Sequence, residues 1–202
     1  MNRPDMPLLL KRDLFGVVQR RTLPGPDGPL DCVERDTGEA VKVALKVPGL
    51  HNVANALAAL SVAKACGVGL AEGAAHLGQF SGIRRRLEVV GTANEITVID
   101  DFAHNPDKIS ATLETMHAFP GRLLLMFQPH GYGPIRLMRD ALVDCFVSGL
   151  HDEDVLVMPE PVYFGGTVDR SVRSREIICE IERHGRKAFA FPDRGACGDA
   201  LV

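Results

Sequence analysis

Asp100-Asp101-Phe102-Ala103-His104-Asn105-Pro106 sets two carboxylates just ahead of an imidazole, directly after the apolar run ITVI. Such a group can hold ribose hydroxyls, a metal ion or a proton in transit; equally, the aspartates can cap a turn while His104 satisfies a main-chain carbonyl. Upstream, Arg84-Arg85-Arg86 offers guanidinium forks that match phosphate oxygens, or simply a solvated basic surface. Downstream, Gln128-Pro129-His130-Gly131-Tyr132-Gly133 follows the apolar run RLLLMF, and its glycines either admit a ligand close to the backbone or form a plain loop. In GLHNVANALAA, residues 49–59, His51 and Asn52 stand where a helix begins and Asn55 one turn later. Those three side chains can meet a flat, hydrogen-bonding ligand such as adenine; the alternative is an asparagine cap ahead of an alanine-rich packing helix. His151-Asp152-Glu153-Asp154 has the composition of a metal cluster, but adjacent residues point in different directions, so a solvated acidic turn and no metal site are expected. Tyr163-Phe164-Gly165-Gly166-Thr167, with Asp169, Arg170 and Arg173 after it, reads as a substrate-facing loop or a simple turn.

Periodicity places these stretches on elements. Pro24, Gly25, Pro26, Gly28, Pro29 and Gly38 punctuate the first 48 residues, with extended candidates at Leu14–Arg20 and Val41–Val47, a pattern of edge hairpins. Val53, Ala56, Leu57, Leu60 and Ala63 make a helical stripe over Asn52–Cys66, closed by Gly67, and a second helix follows over Ala71–Phe80. From Leu87 the period changes to short β-rich runs, LEVVG and ITVID, around the turn Thr92–Glu95. Asn105-Pro106 then reads as a cap followed by proline at the first helical position. A strand over Arg122–Phe127, a helix opened by Pro134, a strand over Val155–Met158, a helix from Ser171 to about His184 stopped by Gly185, and a strand over Lys187–Phe191 complete the pattern. Strands alternating with helices predict an α/β domain with a mainly parallel sheet, and ligands in such sheets bind past the carboxyl ends of strands. DDFAHNP and QPHGYG are therefore expected at one edge, each just past a buried apolar strand.

Composition narrows the class. A 46% hydrophobic content fits a globular chain, no apolar run approaches a membrane-spanning length, and the start is not signal-like. A net charge of −3 provides no basic field for nucleic acid. Cys32, Cys66, Cys145, Cys179 and Cys197 are odd in number and form no CxxC pair, which predicts buried thiols in a reducing compartment instead of disulfides or a zinc site.

In order and spacing, GLHNVANALAA, SGIRRRLEVVG, IDDFAHNP and FQPH resemble the Mur ligase family, and within it the enzymes joining L-alanine to UDP-N-acetylmuramate together with their peptide-recycling relatives. RRLE with DDFAHNP is the most specific part. The resemblance implies a Rossmann-like C-terminal domain over 81–202, a mainly parallel sheet flanked by helices and truncated before its last strand. It also implies that 1–80 is the C-terminal remnant of a central ATP-binding domain. The implied activity is that of a cytoplasmic, ATP-dependent ligase of peptidoglycan precursor synthesis, which activates a carboxylate as an acyl phosphate and joins it to an amine. Its implied cofactors are ATP and Mg2+. Its partners are small molecules, namely a UDP-sugar carboxylate and an amino acid or short peptide, with no nucleic acid and no membrane. Position by position, the resemblance assigns His51, Asn52 and Asn55 to the adenine, Arg85 and Arg86 to ribose and phosphates, and Asp101 to the ribose. His104 falls near the reacting phosphate and substrate and is, with Arg86, the catalytic candidate, while Gln128, His130 and Tyr132 face the incoming amine.

Two departures qualify the resemblance. Gly131 stands where the alanine-joining ligases carry arginine, which leaves the acceptor open between L-alanine and the tripeptide L-alanyl-γ-D-glutamyl-meso-diaminopimelate. No GxxxxGK[ST] is present, nor any Gly-Lys dipeptide, so the phosphate cradle and its magnesium-binding hydroxyl are missing and the chain reads as a fragment inactive by itself. A non-catalytic nucleotide-binding α/β module is the remaining alternative.

Overall fold

The computed structural model describes residues 17–19, 30–163, 165–167 and 169–201, and in it strands come first. β1 (Val17–Gln19), β2 (Leu30–Glu34) and β3 (Ala40–Val43) pair antiparallel in the order β1-β2-β3, in keeping with the hairpins expected there. The rest of the extended stretch expected over Leu14–Arg20 lies outside the described residues.

Helix α1 (Leu50–Ala65) starts earlier than the pattern indicated, with Gly49 at φ 100° as its N-cap. Asn52 is therefore a first-turn residue and not the cap; its side-chain amide donates to the Pro48 carbonyl at 2.7 Å. Val53, Leu57 and Leu60 recur at helical spacing and bury against Cys32, Val43, Leu70 and Ala74, joining α1 to the strands and to α2 (Leu70–Leu77). Glu34 is buried at 5% exposure, and Lys64 pairs with it, which with the Thr37 hydroxyl holds its carboxyl below the usual range.

β4 (Glu88–Ala93) and β5 (Ile96–Asp100) correct an expectation. LEVVG and ITVID, expected within the parallel sheet, pair antiparallel with each other in a two-stranded sheet. Their connection is Asn94-Glu95, at φ 49° and 63°, the conformation of a two-residue hairpin turn. So short a connection can join only antiparallel strands, since a parallel crossover needs a dozen residues or more. Nor is ITVI a buried strand, because Ile96 and Val98 are 61% and 54% exposed. The described residues up to Phe102 pack as one compact unit and those from Ala103 as another.

The second unit carries the α/β pattern. Its elements are α3 (Pro106–Met116), β6 (Leu124–Met126), α4 (Tyr132–Leu137), α5 (Arg139–Gly149), β7 (Val155–Pro159), α6 (Ser174–Arg183), β8 (Lys187–Phe191) and α7 (Arg194–Leu201). β6, β7 and β8 form a parallel sheet in that order. β7 is central and buried from Leu156 to Pro159, as a parallel strand covered on both faces should be. β6 is an edge strand with Leu124 and Met126 exposed, so the run before QPHGYG is less buried than expected. Asn105 caps α3 by accepting from the Lys108 amide at 3.0 Å, with Pro106 at the first helical position, as the sequence indicated. The single helix expected from Pro134 is instead two, α4 and α5, meeting at Met138.

Phe146, Leu142, Leu156, Met158, Ile177 and Ile181 centre the core of this unit, each contributing about 1.5–3 kcal/mol by burial. α3 packs on α5 closely enough that a Cβ added at Gly149 would lie 2.7 Å from Leu113 Cδ1. Gly149→Ala is therefore expected to destabilise the chain by about 1–2 kcal/mol in urea unfolding, overpacking outweighing the gain in helix propensity.

Among the thiols, Cys32, Cys145 and Cys197 are buried, and burial pushes each above its ordinary pKa. Cys66 is exposed and Cys179 half-buried, contrary to the expectation that all five are interior. No helix among the described residues is long and apolar enough to cross a membrane.

Candidate functional site

In the first unit the arginine run folds into a tight turn at the foot of β4. Arg85 and Leu87 both adopt left-handed backbone, φ 58° and 49°, which for residues carrying a Cβ costs about 1–2 kcal/mol each. Three hydrogen bonds impose it. The Arg85 amide donates to Glu88 Oε2 at 2.8 Å, the Arg86 amide to the Ile83 carbonyl at 3.1 Å, and the Leu87 amide to Asp101 Oδ1 at 3.2 Å. The carboxylate at the end of β5 thus pins the turn, and the turn sets Arg85 Cζ at 5.0 Å and Arg86 Cζ at 5.5 Å from the centre of the Phe102 ring. Cations over an aromatic face are held without being neutralised.

Charge pairing separates the three arginines. Arg84 Nε lies 4.0 Å from Glu88 Oε1 and Arg85 Nε 3.5 Å from Asp100 Oδ2, whereas Arg86 pairs with no carboxylate among the described residues. An exposed guanidinium parked on a ring and lacking an anion is chemically suited to phosphate oxygens.

Elsewhere in this unit, His51, Asn52 and Asn55 share the first two turns of α1 at spacings of three and four, so they form one patch. His51 and Asn55 are exposed; Asn52 is half-buried and has its amide nitrogen committed to Pro48.

In the second unit the relevant edge is fixed by α3. Its last turn leads into His117, which bonds Asp154 at the entrance to β7, so α3 runs against the strands. About 16 Å away, the opposite end of this 11-residue helix brings half-buried His104 toward the carboxyl edge of the sheet. Gln128 follows β6 at that same edge. Its amide nitrogen donates to the Glu160 carbonyl at 3.2 Å and to the Pro129 carbonyl at 3.3 Å, tying the loops after β6 and β7 together and leaving only its amide oxygen to serve a ligand. His130 is exposed, and Tyr132 begins α4.

Glu160 was not singled out from sequence. It directly follows β7, and its Oε2 is buried without a hydrogen-bond partner. A buried acceptor lacking a donor attracts a cation such as an ammonium group. An acidic residue immediately after a buried strand was the available signal. The Tyr163–Thr167 loop closes on itself, the Tyr163 hydroxyl donating to the Gly166 carbonyl at 2.7 Å with Arg170 over the ring at 4.6 Å; Phe164 lies outside the described residues. Asp154 corrects the solvated acidic turn: it is buried, 2% exposed. Burial pushes its carboxyl up, but the Leu123 and His151 amides and His117 outweigh that and hold it below the ordinary value.

Residues 85–202 match the family described as Mur ligase, glutamate ligase domain. A UDP-N-acetylmuramate–L-alanine ligase of Pelotomaculum thermopropionicum is 36% identical over 160 residues, covering 78% of this chain and 34% of that protein. The solved UDP-N-acetylmuramate-alanine ligase of Thermotoga maritima superposes with a TM-score of 0.65 at 26% identity over 87% of this chain and 37% of that one. A murein peptide ligase of Psychrobacter arcticus does so with a TM-score of 0.59 at 25% identity over 92% and 38%. The chain spans about a third of the length of the curated relatives it matches.

Proposed function

The chain belongs to the Mur ligase family, and from that membership we propose that it supplies part of a cytoplasmic, ATP-dependent ligase joining L-alanine to UDP-N-acetylmuramate in peptidoglycan precursor synthesis. The observation that carries this reading is the RRRL turn, strained, pinned by Asp101 and presenting Arg86 with no carboxylate partner among the described residues. ATP, with Mg2+, would supply phosphoryl activation of the substrate carboxylate. The residues present fit only part of that nucleotide: Arg86 suits a phosphate and the His51, Asn52 and Asn55 patch suits a base, but the sequence contains no triphosphate cradle. The family match over 85–202 supports a division into a 1–80 remnant of the ATP-binding domain and an 81–202 C-terminal domain.

In this reading Arg86 neutralises developing phosphate charge and Asp101 keeps its turn in place, with the ribose as the second partner of that carboxylate. At the carboxyl edge of the second unit, His104, Gln128, His130 and Tyr132 orient the amine acceptor. The amine attacks the activated carbonyl, phosphate leaves with the bonding electrons, and the nitrogen loses a proton as the amide forms.

The acceptor has a second reading. Gly131 adopts φ 101°, ψ 167°, a conformation closed to residues with a Cβ, so the loop is not shaped for the arginine of the alanine-joining ligases. That departure keeps the tripeptide acceptor as the alternative to L-alanine. The test is to join residues 40–202 to the preceding two-thirds of a UDP-N-acetylmuramate–L-alanine ligase and measure phosphate release with each acceptor. Release that requires UDP-N-acetylmuramate and an acceptor is expected, and none is expected from the 202-residue chain alone. Silence of the folded chimera with both acceptors would reject the proposal, while the acceptor supporting the higher kcat/KM decides between the two readings.

A further inference from the structure

At the opposite, amino-terminal edge of the β6-β7-β8 sheet, three metal-ligating side chains converge within the second unit. His117 caps the end of α3, and His151 and Asp154 belong to the tight turn before β7. One ligand atom from each lies within 4.8 Å of the other two. His117 Nε2 is 2.7 Å from Asp154 Oδ2, and the His117 and His151 rings stack with centroids 3.6 Å apart and planes at 19°. We propose that His117, His151 and Asp154 form a zinc-binding site.

The carboxylate is already oriented as a ligand would be. Asp154 Oδ1 accepts from the Leu123 amide at 2.8 Å and Oδ2 from the His151 amide at 2.7 Å, so main-chain donors on two segments fix the group while its side chain is 1% exposed. Supporting hydrogen bonds of this kind are what hold first ligands in place at metal sites. His117 is nearly as enclosed, its side chain 12% exposed.

An ion about 2.1 Å from each donor in tetrahedral geometry sets the donors roughly 3.4 Å apart. His117 and Asp154 need only part slightly, the ion taking the place of the shared proton. Because stacked rings do not aim their lone pairs at one point, His151 must turn about its Cβ–Cγ bond. Being exposed, it has room to do so.

Two imidazoles and one carboxylate make a nitrogen-rich set. That selects Zn2+ over Mg2+ and Ca2+, which favour all-oxygen shells. Three protein ligands leave a fourth position for water, opening on a recess lined by Arg122, Ser148, Asp152, Glu153 and Arg186. The cation of Arg186 is offset there by Asp152 at 2.7 Å. A bound ion would clamp the end of α3 to the start of β7, on the edge away from Gln128 and Glu160.

The test is a calorimetric titration of the full chain with Zn2+, repeated with Co2+ and read by visible absorption. One saturable ion per chain, a tetrahedral Co2+ spectrum and no displacement by millimolar Mg2+ are expected. His151→Ala removes an exposed ring while keeping the turn's main-chain bonds, so it is expected to fold normally in EDTA and to weaken the site at least tenfold. His117→Gln should do the same. Absence of a saturable site, or a site whose affinity is unchanged in both variants, would overturn the proposal.

Discussion

Arg86→Ala, introduced into the chimera of residues 40–202 with the preceding part of an alanine-joining ligase, is expected to lower phosphate release roughly 30- to 1,000-fold. Removing a charge-assisted hydrogen bond at a desolvated site costs about 2–4 kcal/mol. Arg86 is singled out by its pairing: its neighbours already have carboxylates, Arg84 with Glu88 and Arg85 with Asp100, while its own guanidinium rests on Phe102. Arg84→Ala is therefore the control. It breaks an exposed pair at 4.0 Å and should change turnover less than about fivefold. Arg86→Lys keeps the charge but loses the fork, and an intermediate loss is expected. Steady-state phosphate release for the three variants decides the matter; equal, small effects at 84 and 86 would remove Arg86 from the chemistry.

The largest expected effect on stability falls on Asp154. Replacing it with alanine strands two part-buried main-chain donors, those of Leu123 and His151, and unpairs His117, which together should cost about 3 kcal/mol. Urea unfolding in EDTA measures this without any metal contribution. Asp154→Asn, which retains an acceptor, should recover part of the loss. The pH dependence has a definite sign. Because the folded carboxyl is held below its unfolded value of about 3.9, the contribution is fully present above that pH and is lost as pH falls through the lower folded value. The gap between wild type and Asp154→Ala should therefore narrow under strong acid by the charge-dependent part of the contribution, the neutral carboxyl still accepting from the two amides as the asparagine does.

α3 was legible because its signals are local: Asn105 reaches Lys108, and Pro106 needs no amide partner at the first helical position. β8 emerged with the bounds expected, and Gly67 and Gly185, at φ 89° and 82°, end α1 and α6 where no Cβ is tolerated comfortably. The arginine run and DDFAHNP were recognisable as motifs because their chemistry is written in residue type and order.

Pairing was not legible. The turn at Thr92–Glu95 was legible, but that LEVVG and ITVID form a sheet of their own apart from the parallel one was not, because their apolar composition is the same in either setting. Likewise, nothing local marks Gln128 as the tie to the Glu160 carbonyl 32 residues on, or leaves Glu160 with a buried, unpartnered oxygen. His117 is an unremarked histidine at the end of a helix until the fold sets it against Asp154, 37 residues away. Side-chain type and local spacing fixed which groups this chain possesses, because those follow from covalent order. Which of them are buried, paired or left without a partner was decided by tertiary structure, since burial and hydrogen bonding depend on segments distant along the chain.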